Sequence, residues 1–488
     1  MSLSDGAEPF SSEPQENNNN DSEIKINSSK KGIIIVGISV ILILIAIGII
    51  LYFIFSSPDE PKTEPPGPEP PKPEIQNYIT AKYYIDYPTN FSRIFHISYN
   101  NSVESLKIDG NLVNINYSKT FDNEGEHIIE IHFKNKLTSL DSLFFYADTL
   151  TEVNFSNLIS SDIKTASDMF NGCANLVKVN FDNFNTSNIY NISNMFTGCS
   201  SLKSINLDVF KYDKLLDIYG LFMGCGMLSN INLNNFNTKN VINMSNLFSD
   251  CGYLENINLD NLITENVIDM SNMFYGCYSL KSINLDKFNT EKTVYMNGMF
   301  DGCNDLKTLS LKSFNTKKVE YMYLMFGDCT SLTSIEFNNF ETNKVSDMFG
   351  MFKNCKSLES IDITHFDISN VIDMGDMFGN CTSLKEIKLE NLKPENLKYI
   401  NGMFESCSSL VNLNLSSFNT KNVVDARYLL NECKNLKNID FRKFNTSSLQ
   451  FYEGIFNGLP KEGTFIYNSK IFNLTALLPN NWTLNNTE

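Results

Sequence analysis

Residues 277–303 read CYSLKSINLDKFNTEKTVYMNGMFDGC, and the fold follows from this stretch. Its frame is C-x2-L-x2-I-x-L-x2-F-x-T-x2-V-x2-M-x2-M-F-x2-C, carried by Cys277, Leu280, Ile283, Leu285, Phe288, Thr290, Val294 (shifted by one), Met296, Met299, Phe300 and Cys303. The same frame recurs on both sides. All eleven cysteines lie at one interval: Cys173, Cys199, Cys225, Cys251, Cys277, Cys303, Cys329, Cys355, Cys381, Cys407 and Cys433, each 26 residues from the last. No bland composition produces ten equal spacings, so the chain is an array of one supersecondary unit.

Each unit has a physical reading. L-x-x-I-x-L ends with the period of a strand, Ile and Leu inward and the residue between them outward. In MSNMFYGC, Met270, Met273, Phe274 and Cys277 fall at i, i+3, i+4 and i+7, the spacing of one face of a short helix. The expected coil is therefore strand, bend, short helical segment and return. A single coil cannot close a core, so neighbours must stack into a parallel sheet backed by helical turns, an α/β solenoid. The 37 Phe and 17 Met, against one Trp, form the helical half of that core. The frame runs past the cysteines: Ala147 takes the Cys place one period before Cys173, and Leu459 takes it after Cys433, with Pro460 ending the pattern. About twelve coils over 137–460 would make a rod roughly 55–60 Å long on the strand side, with 461–488 as a C-terminal cap or tail.

L-x-x-I-x-L-x-x-F resembles the leucine-rich repeat, with Phe where Asn usually sits. The longer unit, with M-F-x-x-C and F-N-T, resembles the 26-residue repeat of BspA-like surface proteins of bacteria and parasitic protists. The resemblance covers about 137–460, and the segment before it is similar to the cap ahead of such arrays. It implies a leucine-rich-repeat-like solenoid with a non-catalytic role at the cell surface, in adhesion to host proteins or other cells. The departures are Tyr212 for Thr with Ile218 and Leu221 for Met in one coil, and Pro394 for Thr in another. Both coils keep apolar character where it matters for the core; Pro394 is expected to distort its turn locally.

Outside the array, residues 1–31 are polar and acidic and read as a disordered cytoplasmic tail. Residues 32–55 hold an uncharged apolar run, Ile33–Phe55, whose 23 residues would span ~34 Å as a helix, enough for a ~30 Å hydrocarbon core. The run is too long and too far from the start for a cleaved signal, and Ser56-Ser57-Pro58 is a poor cleavage site. It reads as a single-pass signal-anchor. Lys25, Lys30 and Lys31 precede it and only Lys62 follows closely, which places the repeats outside the plasma membrane. Residues 56–75 carry eight of the fourteen prolines and read as an extended stalk. Residues 76–136 alternate in short runs rich in Ile, Tyr and Phe (YITAKYYIDY, RIFHISY, HIIEIHF), the pattern of a small antiparallel β cap.

Chemistry is sparse. A net charge of −17 supplies no basic stripe for nucleic acid. There is no G-x-S-x-G, H-E-x-x-H or phosphate loop, so no catalytic residue, cofactor or metal is expected. His127 and His132 read as strand residues and His365 as a solvated turn. Eleven is an odd number, and every cysteine holds the same inward position, so the cysteines read as a buried structural thiol ladder and not as disulfides. Free thiols speak for a reducing compartment, which keeps a cytosolic orientation as the alternative. The candidate binding face is the outward strand position, Asn180, Asn206, Asn232, Asn258 and Asn284, with Asp182, Asp208, Asp260 and Asp286 two residues on. A plain solvated surface is the competing reading. The expected partner is a protein or glycan on host or neighbouring cells or matrix, and the other function class is a structural surface coat without a specific ligand. N-x-S/T sequons recur along the outer part, consistent with a glycoprotein.

Overall fold

The computed structural model describes residues 77–487, apart from 89–90, 208–212, 339 and 472. The tail, the apolar span and the stalk expected over 1–75 lie outside the described residues, as does Asp208. Among the described residues no helix is long and apolar enough to cross a membrane.

Alternation in YITAKYYI sends Ile79, Ala81, Tyr83 and Ile85 to one side of β1 (Tyr78–Ile85), and all four are fully buried. The cap continues through β2 (Phe91–Arg93), β3 (Val103–Ile108), β4 (Asn111–Val113), β5 (Ser118–Thr120) and β6 (Gly125–Phe133). RIFHISY is only half strand: after β2, His96 caps a 3-10 turn over Ile97–Tyr99. β7 (Leu150–Asn154) joins cap to array. It pairs antiparallel with β1 and parallel with β8 (Lys178–Asn180), so one six-stranded sheet runs β4-β3-β6-β1-β7-β8.

The coil strands that follow are short. They are β9 (Ser204–Asn206), β10 (Asn230–Asn232), β11 (Thr308–Ser310), β12 (Ser334–Glu336), β13 (Ser360–Ile361), β14 (Glu386–Ile387), β15 (Asn412–Asn414) and β16 (Asn438–Asp440). Each pairs parallel and in register with a neighbouring coil, for example Ile205 with Ile231 and Leu413 with Ile439. Two longer strands, β17 (Glu462–Tyr467) and β18 (Asn481–Asn486), close the array.

The helical half of the expected coil does not form. The array is a β-solenoid with no α-helix among the described residues. Met270, Met273, Phe274 and Cys277 are all fully buried, so the inward face is as expected, but the backbone between them is a double turn. Alternate N–H groups, those of Met270, Asn272, Phe274 and Gly276, donate to Tyr295, Asn297, Met299 and Asp301 of the next coil. The intervening ones, Met273, Tyr275 and Cys277, donate three residues back within the coil. A helix would spend all these donors inside one coil. The double turn shares them with the neighbour and so bonds the turn face as a sheet does. It requires a left-handed residue at two points four apart, here Asn272 (φ 54°) and Gly276 (φ 66°). At Gly276 glycine serves twice, because a β-carbon there would lie 2.5 Å from Asp250 Oδ1.

Three internal ladders lock the stack. Phe144, Phe170, Phe196, Phe222, Phe248, Phe274, Phe300, Phe326, Phe352, Phe378 and Phe404 stack one upon the next, centroids 5.3–6.0 Å apart and planes within 14°. Each such contact adds about 0.5–1.5 kcal/mol beyond burial. In the second ladder the F-N-T threonine is buried. Thr264 Oγ1 donates to the Asn289 carbonyl and accepts its N–H, at 3.0 and 2.7 Å, a polar group inside the core with both its needs met. Ile368 and Pro394, both buried, interrupt this ladder with apolar side chains. Ile218 and Leu221 replace Met with full burial.

The third ladder is the cysteines. All eleven are free and buried. Each thiol donates to the carbonyl of the core phenylalanine one coil back, over 3.0–3.3 Å. That carbonyl already accepts the N–H three residues on, of its own coil's Cys or, for Phe144, of Ala147; the thiol satisfies its second lone pair, which alanine could not. Burial raises every one of these thiols, with Cys173, Cys381 and Cys433 pushed up to about 12. A thiol-specific alkylating reagent should therefore label none of them in the native array and all of them in denaturant. Fast labelling of the native protein would contradict this packing.

Candidate binding face

The sheet face is polar because the inward strand residues leave only their neighbours outside. Asn180, Asn206, Asn232, Asn258 and Asn284 occupy the outward position of successive coils. Their placement does not make them free to bind. Asn180 Oδ1 accepts the N–H of Asp182, Asn232 that of Asn234, Asn258 that of Asp260 and Asn284 that of Asp286, at 2.8–3.0 Å. These are Asx turns, which bend the chain out of each strand. The residues they position, Asp182, Asp260 and Asp286, are exposed. Further along, the face becomes mixed: Lys287 lies 3.8 Å from Asp260, and Lys312 pairs with Glu336 at 2.8 Å.

The same device recurs farther along the sheet face, at Asn414, and at other corners. Asn185, Asn191, Asn243, Asn414 and Asn445 each accept the N–H two residues on. All five begin an N-x-S/T sequon. In the array that spacing is a turn-forming device, with Ser245 itself buried.

Where the cap sheet meets the array, Lys82 bridges Glu152 at 3.2 Å and Glu126 at 3.5 Å. Together with Thr80, Ile128, Asn154, Lys178 and Asn180 this makes a shallow depression. His127 contacts Asp109 at 2.7 Å, His132 stacks on Tyr78 at 4.7 Å, and His365 lies exposed against Phe337 and Phe366. Among the described residues no group of three His, Cys, Asp or Glu is placed to hold a metal ion.

Sequence reading missed the opposite side. A column of parallel bridges runs along the turn face from Ser139 to Phe451 at every period. It carries Tyr295 and Tyr321, stacked at 5.4 Å, with the Tyr323 hydroxyl accepting from Asn297 Nδ2. Farther on, Arg427 grips Asp425 and covers Phe451. The signal lay in the sequence as Tyr295, Tyr321, Tyr399 and Phe451 at multiples of 26.

The same column holds half-buried carboxylates. Burial pushes Asp373 up to about 6 from its ordinary 3.8, against the Gly375 N–H, with Asp347, Asp376 and Asp425 adding to the rise. A raised carboxyl keeps its proton in the folded state while the unfolded chain loses it. Its contribution to stability is thus fullest below about 4 and is lost as pH rises through about 6. Asp373→Asn keeps the acceptor for Gly375, as Asn243 does for Ser245 in its own coil. The variant should melt higher than the parent at pH 7.5 and alongside it at pH 4. Equal shifts at both values would remove the charge from the explanation.

The family described as "Mycoplasma protein of unknown function, DUF285" matches at residues 138–258, 244–361 and 347–464. The chain belongs to this family. Its DUF285 segments cover more than half of the sequence, and they are the BspA-like 26-residue coils described above. A leucine-rich repeat protein from Bacteroides ovatus is similar at 20% identity, with a TM-score of 0.48, covering 76% of this chain and 90% of that one. TLR13, solved as its complex with ssRNA13, matches at 16% identity and a TM-score of 0.19, over 64% of this chain and 52% of that one. No curated protein matches the chain.

Proposed function

We propose that this DUF285 protein is a non-catalytic surface protein, anchored through residues 32–55 with its repeats outside, that binds a protein or glycan on host or neighbouring cells or matrix. The observation that supports this reading is the exposed row Asp182, Asp260 and Asp286, each set by an Asx turn at the same point of its coil. The backbone that presents these side chains is already fixed, so it loses little entropy on binding. Repetition offers a large partner several weak contacts at once, and avidity multiplies them.

The test is binding of the full chain to intact cells and to matrix. Saturable binding that falls by roughly tenfold or more when all three aspartates become alanine, the loss of several coupled contacts, supports the reading. Lateral self-assembly without saturable binding would replace it by a structural coat. Protease added outside intact cells should remove the repeats; their full protection would reverse the orientation.

A further inference from the structure

The depression where the cap meets the array lies between two rows of side chains on one face of the six-stranded sheet. Strand register sets the first row as Ile128, Lys82, Glu152 and Lys178, one each from β6, β1, β7 and β8. The second row, two residues along, is Thr80, Asn154 and Asn180. Long side chains stand in the first row and short ones in the second, and the hollow between them holds about 220 Å³. Pockets for drug-sized ligands run to roughly 300–1,000 Å³, so this one has room for a single small ring. Past the junction the same two columns continue as Ser204 with Asn206 and Asn230 with Asn232, where the tall row is gone.

The polar groups of the hollow are held in place with donors to spare. Asn154 Oδ1 accepts the Ser156 N–H at 2.9 Å and Asn180 Oδ1 that of Asp182 at 2.8 Å, so both amides are fixed by their oxygens and present Nδ2. Among the described residues these two Nδ2 groups, Lys178 Nζ and Thr80 Oγ1 make no hydrogen bond within the protein. Glu152 Oε1 accepts from Lys82 at 3.2 Å, and the carboxylate has acceptor capacity beyond that one bond. Ile128 closes the tall row with 49% of its surface exposed. The charges balance: Lys82 and Lys178 stand against Glu152 and Glu126, the last 3.5 Å from Lys82. An ion of either sign meets repulsion as well as attraction here. A hydroxyl, which donates and accepts at once, uses both kinds of group.

We propose that this hollow is a sugar subsite that takes one uncharged hexose ring of a glycan. The hydroxyls of the ring accept from the Asn154 and Asn180 amides and from Lys178, and donate to the Glu152 carboxylate. Its C–H face lies against Ile128. The two amides are oriented by their turns before the ligand arrives, so little ordering is lost on binding. The site uses none of Asp182, Asp260 and Asp286 and does not rest on the binding assigned to that row. It is built by the cap and the first coils together, and it occurs where the sheet passes from antiparallel pairing at β1 to parallel pairing at β8.

The experiment uses the full chain in a detergent without a sugar headgroup. The chain is made in a host that does not glycosylate, because Asn154-Phe155-Ser156 is a sequon. Titration with the methyl glycosides of glucose, galactose, mannose and N-acetylglucosamine, read by saturation-transfer NMR, should show saturable binding of at least one. The Kd should be roughly millimolar, the range open to so small a ligand. Asn154→Asp keeps the acceptor for Ser156 and removes the amide donor; Lys178→Met keeps the wall and removes the ammonium. Each should weaken binding by about tenfold or more, the loss of one oriented hydrogen bond, with the melting temperature kept. If Asn154→Asp melts lower, Lys178→Met decides. No saturation by any of the four glycosides, undiminished binding in both variants, or glucuronic acid bound more tightly than glucose overturns the subsite. The triple alanine variant at Asp182, Asp260 and Asp286 keeps the backbone N–H that Asn180 accepts and should bind the sugar as the parent does, so the two proposals fail separately.

Discussion

Deleting Cys277 through Gly302 is expected to leave a folded rod one coil shorter. The two cut faces are the same surface: Gly276 would be followed by Cys303, which takes the place of Cys277 and donates to Phe248 O, as Cys277 does now. Phe274, stacked on Phe300 at 5.7 Å, would stack instead on Phe326. Every ladder closes because each coil touches only its neighbours. Deleting thirteen residues, 277–289, has the opposite outcome. It joins Gly276 to Thr290 and sets the buried threonine row where the thiols should be. Circular dichroism and thermal melting should show a cooperative transition for the first deletion and its loss for the second. Equal tolerance of both would refute the solenoid.

Phe274→Ala should cost about 3–5 kcal/mol, the usual range for a buried phenylalanine. The ring is fully buried between Phe248 and Phe300, each 5.7 Å away. Phe274→Asp should be worse, since among the described residues no lysine or arginine is buried to pair with the charge. The damage should spread by contact alone. Limited proteolysis is expected to cut first in the coils around 274 while the β1–β6 cap stays intact. A variant that melts within a degree of the parent would show that the phenylalanine ladder carries no weight.

The repeat by itself makes the inward set legible. Leu280, Leu285, Phe288, Met296 and Cys303 stand where the frame puts them. The backbone of the M-x-x-M-F segment is not legible from those residues. A helix and a double turn place i, i+3, i+4 and i+7 on the same side, so apolar spacing cannot separate them. The deciding residues are the ones between: Asn272 and Gly276 recur as Asn, Asp, Ser or Gly at most periods, which is the mark of a left-handed turn. Leu324, Tyr428, Tyr146 and Glu432 break that rule at φ 53°, 57°, 54° and 60°. The sheet face lies where the strand period puts it, but the role of its asparagines is hidden. Asn-x-Asp at 258–260 and 284–286 is a turn signal first and a surface signal second. Tyr295 and Tyr321 sit on the turn face, outside the strand-side positions that the period-2 pattern picks out.

The alternate N–H bonds of the turn face, Met270 to Tyr295 and onward, all cross from one coil to the next. A tensile load applied along the stacking direction therefore falls on these crossings, with no covalent rung between coils except the chain itself. Under pulling, the weakest terminal interface should give first and the rest follow one at a time. Each release replaces ~4.8 Å of stacked height by roughly 90 Å of extended chain, 26 residues long. A force–extension trace would be a sawtooth of nearly equal teeth. A tether built this way dissipates a sudden pull as a series of small yields and keeps its two attachment points joined while it lengthens.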